Sequence, residues 1–129
     1  MDAKKILIVD DDPDITEAMT VVLETQDYQV QSVRNSRDAA QAVKKSPPDL
    51  IILDVMMDTP REGFAFSRLI KNNPETKDIP IIMITSVKEK VGIDFKSVAG
   101  DESWLPVQDF LDKPVQPDVL LEKVASLIK

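Results

Sequence analysis

Short unbroken apolar runs recur along the chain, and each stops abruptly on polar residues. Ile6 to Val9 ends at Asp10-Asp11-Asp12, and Leu50 to Leu53 ends at Asp54. Ile79 to Ile84 closes on Thr85-Ser86, and a further strand candidate, Val107 to Leu111, interrupted by Gln108 and Asp109, closes on Asp112-Lys113-Pro114. Runs of this length, apolar without alternation, suit parallel strands covered on both faces. The segment Tyr28 to Val33 differs: it alternates Tyr-Gln-Val-Gln, the pattern of a strand with one wet face, which suits a sheet edge.

Between these runs the apolar spacing changes to steps of three and four. Asp12 can cap a helix opened by Pro13, with Ile15, Ala18, Met19, Val22 and Leu23 on one face. Ser36 is the expected cap of a second helix, whose inward positions Ala39, Ala40, Ala42 and Val43 are small. A loop from Val55 to Glu62 leads through Gly63 into a third helix with Phe66, Leu69 and Ile70 inward, ended by Asn72-Asn73-Pro74. Val87, Val91, Phe95 and Val98 mark a fourth helix, weakened by Gly92, and Gly100 to Pro106 reads as loop. Pro117 opens the last helix, with Leu120, Leu121, Val124, Leu127 and Ile128 inward.

Five strands alternating with five helices over short connections require right-handed crossovers. The fold class is therefore α/β: a doubly wound, five-stranded parallel sheet with helices on both faces. An edge position for the second strand suggests the flavodoxin-like order 2-1-3-4-5, an order that rests in part on the resemblance given below.

Composition narrows the chemistry. At 129 residues the chain has room for one domain, expected to span 1–129. Sixteen basic against 23 acidic residues give a net charge of -7, which opposes direct contact with nucleic acid or an anionic membrane. With no cysteine and no histidine, thiolate catalysis, imidazole bases and sulfur- or nitrogen-ligated metals are excluded. The run Ile6 to Val9 is too short for a signal peptide, and no run approaches the roughly 20 apolar residues of a membrane span. A cytoplasmic protein is expected.

In open α/β sheets, sites form beyond the carboxyl ends of the strands. There the order 2-1-3-4-5 collects Asp10, Asp11, Asp54, Thr85 and Lys113. Three carboxylates in one crevice repel, so that one is driven towards protonation unless a cation joins them. A hard divalent ion relieves this, and an all-oxygen donor set favours Mg2+ over zinc. Taken singly the residues carry blander readings: Asp12 as a cap, Asp58 as a loop charge, Lys113 as a solvated lysine, Thr85 as a strand-end hydroxyl bonding locally, and Phe110 as core.

Ile-Val-Asp-Asp-Asp-Pro, Leu-Ile-Ile-Leu-Asp54-Val-Met-Met, Ile-Met-Ile-Thr85-Ser86 and Phe110-Leu-Asp-Lys113-Pro114 together resemble the receiver domains of two-component response regulators. The resemblance covers the whole chain and is closest to single-domain, chemotaxis-type regulators. It implies that Asp54 takes a phosphoryl group from a phosphohistidine on a partner histidine kinase or phosphotransfer protein. Carried over by position, Asp11 is a direct Mg2+ ligand, Asp10 holds the ion through water, and Asp54 and the backbone carbonyl of Met56 complete the metal site. Lys113 pairs with the phosphoryl oxygens, Thr85 hydrogen-bonds to one of them, and Thr85 with Phe110 forms the switch that alters a surface read by a downstream protein. Such a domain catalyses its own phosphorylation and slow dephosphorylation without independent small-molecule turnover.

The resemblance also implies that the residues two after the acceptor and two after the hydroxyl, here Met56 and Val87, govern access of the hydrolytic water. The chain departs from the family where Asp58 replaces a usual proline, and where the Thr85-to-Lys113 distance is longer, with the surplus placed around 100–107 and carrying Trp104. Trp104 is expected to fold back onto the fourth helix or fifth strand.

Two other classes compete. Asp10-x-Asp12 matches the minimal motif of haloacid-dehalogenase-type phosphatases, which leaves Asp54, Thr85 and Lys113 without a role. A pseudo-receiver, binding a partner without phosphorylation, is opposed by the intact acidic pair, acceptor, hydroxyl and lysine.

Overall fold

A computed structural model describes residues 4–54, 60–85, 109–112 and 115–128, with the backbone alone for 60–64, 85, 109, 110 and 112. Strands β1 (Lys5–Val9), β2 (Gln29–Val33), β3 (Leu50–Asp54), β4 (Ile81–Thr85) and β5 (Asp109–Asp112) form one parallel sheet in the order β2-β1-β3-β4-β5. Helices α1 (Pro13–Glu24), α2 (Ser36–Lys45), α3 (Pro60–Asn72) and α4 (Pro117–Leu127) flank it in a flavodoxin-like α/β architecture.

The unbroken apolar runs are explained by burial on both faces. Leu7, Val9, Ile51, Leu53, Ile81 and Met83 pack with Ala39 and Val43 of α2 and with Phe66 and Ile70 of α3. The alternate residues Ile6, Ile8, Leu50, Ile52, Ile82 and Ile84 pack on the opposite side with Met19 and Leu23 of α1 and with Leu120 and Val124 of α4. Each such side chain contributes about 1.5–3 kcal/mol by leaving water, so the central strands are the most firmly placed part of the molecule. Among the described residues, no helix is long and apolar enough to cross a membrane.

Several local expectations are corrected. The cap of α2 is Asn35, not Ser36: the Asn35 backbone is extended and its side-chain oxygen accepts from the Asp38 N–H at 2.8 Å, leaving Ser36 as the first helical residue. The third helix begins at Pro60, inside the expected loop, because proline at a first turn lacks only an N–H that no helix bond would use. Its inward face is Phe66, Ser67 and Ile70, whereas Leu69 is 56% exposed. At 100° per residue Ser67 and Leu69 lie on opposite flanks of the stripe that Phe66 and Ile70 define, and it is the Ser67 flank that is buried.

Strand β4 starts at Ile81 rather than Ile79, since the Ile79 N–H is held in a turn by the Thr76 carbonyl at 3.0 Å and Pro80 has no N–H to give. The fourth helix expected over Val87–Val98, the loop with Trp104, and the start of the fifth strand at Val107 lie outside the described residues.

Candidate functional site

The β1–β3 register pairs Ile6 with Leu50 and Val9 with Leu53, so Asp10 and Asp54 emerge next to each other at the carboxyl ends of two central strands. Asp10 is fixed from both sides. Its N–H donates to the Val33 carbonyl at the end of β2 at 3.0 Å, and its Oδ1 accepts from the Asp12 N–H at 2.9 Å. That second bond curls the chain into α1, where Asp12 caps the helix by accepting from the Asp14 N–H at 2.9 Å and the Ile15 N–H at 3.4 Å. Asp11, between them, is exposed.

Asp10, Asp11 and Asp54 can each direct one carboxylate oxygen so that all lie within 4.8 Å of one another, two from buried residues and one from an exposed residue. A sheet interior lies on one side and solvent on the other. Like charges held this close raise the free energy of the site, and a divalent cation lowers it. The donor set is oxygen only, with a solvent-facing member where water can stay bound, which fits Mg2+.

At the end of β4, Ile84 is in register with Asp54, which puts the Thr85 backbone one residue further along, opposite Asp112 of β5. Phe110 lies opposite Met83 in the same ladder. Lys113 and Met56 lie outside the described residues. Asp12, the second aspartate of the phosphatase motif, is absent from the carboxylate cluster and is engaged as a cap. Val33 is a supporting residue that sequence reasoning missed; its carbonyl anchors Asp10, and its only signal was its place at the end of the alternating strand.

Residues 6–125 match the family model of the response regulator receiver domain. The chain belongs to that family. It is 34% identical over 126 residues to the transcriptional regulatory protein GltR of Pseudomonas aeruginosa, covering 98% of this chain and 49% of GltR. It is 30% identical over 127 residues to Protein PilH of the same organism, covering 96% of this chain and 97% of PilH. The solved signal receiver domain of a signal transduction histidine kinase from Syntrophus aciditrophicus superposes with a TM-score of 0.83 at 34% identity, covering 98% of this chain and 90% of that one. The chain spans about half the length of several curated relatives, GltR among them.

As a receiver domain this protein is a phosphoacceptor module of two-component signalling, and its Asp10, Asp11 and Asp54 match the Mg2+-binding triad of the family. Receiver domains with such an aspartate site undergo phosphorylation and dephosphorylation there.

Proposed function

We propose that Asp54 is the phosphoacceptor and that this chain takes its phosphoryl group from a phosphohistidine of a partner kinase or phosphotransfer protein. The observation that carries the reading is the meeting of Asp10, Asp11 and Asp54 within 4.8 Å at the ends of adjacent strands. The donor histidine lies outside these 129 residues, which contain none. One Asp54 carboxylate oxygen attacks phosphorus in line, a P–O bond forms as the P–N bond breaks, and the departing imidazole keeps the electron pair and takes up a proton.

Asp10 and Asp11, with Asp54 and the Met56 carbonyl, would hold Mg2+. When bound, the ion neutralises charge on the phosphoryl oxygens. Lys113 supplies a point charge to the same oxygens and Thr85 a hydroxyl donor, while Phe110 carries the resulting change to a surface read by a downstream protein. The partner class is supported by the matching receiver of a histidine kinase. On this reading the chain acts in the cytoplasm as one doubly wound domain over 1–129.

Phosphoramidate, a small donor with the same P–N bond, tests this directly. With Mg2+ it should give a phosphorylated protein whose label is released by hydroxylamine, as an acyl phosphate is. A label that resists hydroxylamine would place the phosphoryl group on a hydroxyl and overturn the assignment.

A further inference from the structure

A groove of about 420 Å³ runs between α1 and the outer part of β2, away from the metal-binding oxygens except where it reaches Asp10 at one end. Among the described residues β2 is an edge strand of the sheet, with β1 on its one paired side. The Gln29 N–H donates to Lys4 and the Val33 carbonyl accepts from Asp10, so Gln29 and Val33 turn their backbone groups towards β1. Alternation along the strand then turns the N–H and C=O of Val30 and Ser32 to the free edge.

The α1 side of this edge is unusual in two ways. Ser32 is small, so it does not fill the space beneath the helix, and Val21 above it is 59% exposed. Val21 is flanked along one helix stripe by Glu17 and Glu24, both exposed and both lining the groove. Arg34 is the one basic residue among the groove's lining residues.

We propose that this groove takes an extended, basic segment of a partner protein, added to the free edge of β2 as a further strand. Its backbone bonds to Val30 and Ser32, an apolar side chain covers Val21, and lysine or arginine residues on either side pair with Glu17 and Glu24. The spacing suits a strand. Glu17 to Val21 rises about 6 Å and Val21 to Glu24 about 4.5 Å along the helix, against about 6.7 Å between same-face residues of an extended chain, a mismatch that flexible lysine arms absorb. Edge addition beside a helix is an established mode of peptide recognition, in which backbone bonds give affinity and side chains give selectivity. The surface is separate from phosphoacceptance, and its variants are expected to leave acetyl phosphate labelling unchanged.

The probe is a fluorescein-labelled nonapeptide with Lys, Val and Lys at its third, fifth and seventh positions and threonine elsewhere. A second peptide has the same side chains and charge but is N-methylated at its fourth and fifth amides. Fluorescence anisotropy should detect binding of the first peptide, weakened roughly tenfold in Glu17→Lys/Glu24→Lys, as the loss of two exposed ion pairs would do. Val21→Asp should weaken it as well, the N-methylated peptide should bind much less, and the Val30 and Ser32 amides should gain hydrogen-exchange protection with the first peptide only. Equal binding of both peptides would reduce the effect to general charge attraction and overturn the proposal, as would absence of binding or indifference to the glutamate reversals.

Discussion

Val9 stands in register with Leu53 across the parallel β1–β3 ladder, and this pairing sets the position of the site. Because the side-chain period of a strand is two, a slip of one residue would turn Leu53 out of the α2/α3 core and move Asp54 away from Asp10. The core therefore specifies the spacing of the carboxylates. Leu53→Ala, at a fully buried position, should cost about 2–5 kcal/mol in denaturant unfolding, whereas Leu69→Ala, on the exposed side of α3, should change stability by no more than about 0.5 kcal/mol. A large loss at Leu69 would contradict the inward face assigned to that helix.

Asp11 is the exposed member of the carboxylate cluster, so its removal should act on charge more than on packing. Asp11→Asn is expected to weaken Mg2+ binding by at least the roughly 10–100-fold seen when even outer partners of a metal site are lost. In EDTA the same variant should melt higher than the wild type, by about 3–6 °C if the relieved repulsion is worth about 1 kcal/mol. Calorimetric titration and thermal melts with and without Mg2+ check both signs; an unchanged Mg2+ affinity would remove Asp11 from the metal site.

Asp12 makes a contrasting prediction. As the cap of α1 it should cost about 1 kcal/mol of stability when changed to alanine, with phosphoryl uptake from acetyl phosphate retained. The phosphatase reading of Asp10-x-Asp12 demands the reverse, loss of chemistry. Labelling abolished in Asp12→Ala while the fold persists would revive it.

How much of this was legible in the sequence depends on which interactions decide each element. The strands that carry Asp10, Asp54 and Thr85 were legible because two-sided burial leaves an unbroken apolar run, and a polar residue at its end has only one place to go. Choices between neighbours were not. Asn35 and Ser36 are both good caps, and the geometry that favoured Asn35 is a backbone conformation that composition does not encode. Leu69 is as apolar as Ile70, and Ser67 and Leu69 flank the inward stripe of α3 equally, but the Ser67 flank is the buried one. Ile79 continues the apolar run, yet the turn from Thr76 claims its N–H.

The lifetime of the phosphoryl group should depend on Met56 and Val87. The family resemblance implies that these two positions govern access of the hydrolytic water, and here both residues are apolar, which disfavours an ordered attacking water. We expect slow hydrolysis in the wild type and faster decay when both are replaced by polar residues, followed by the loss of label over time. Decay that is not accelerated in the double variant would assign control of the water to other residues, Asp58 first among them.

The central claim is that Asp54 itself receives the phosphoryl group with Mg2+ held beside it. Intact-mass measurement after incubation with acetyl phosphate tests it most directly. With Mg2+ the wild type should gain the mass of one phosphoryl group, EDTA should prevent the gain, and Asp54→Asn should show none because an amide is a poor nucleophile. Full labelling of Asp54→Asn, or labelling of the wild type that is indifferent to EDTA, would contradict the account.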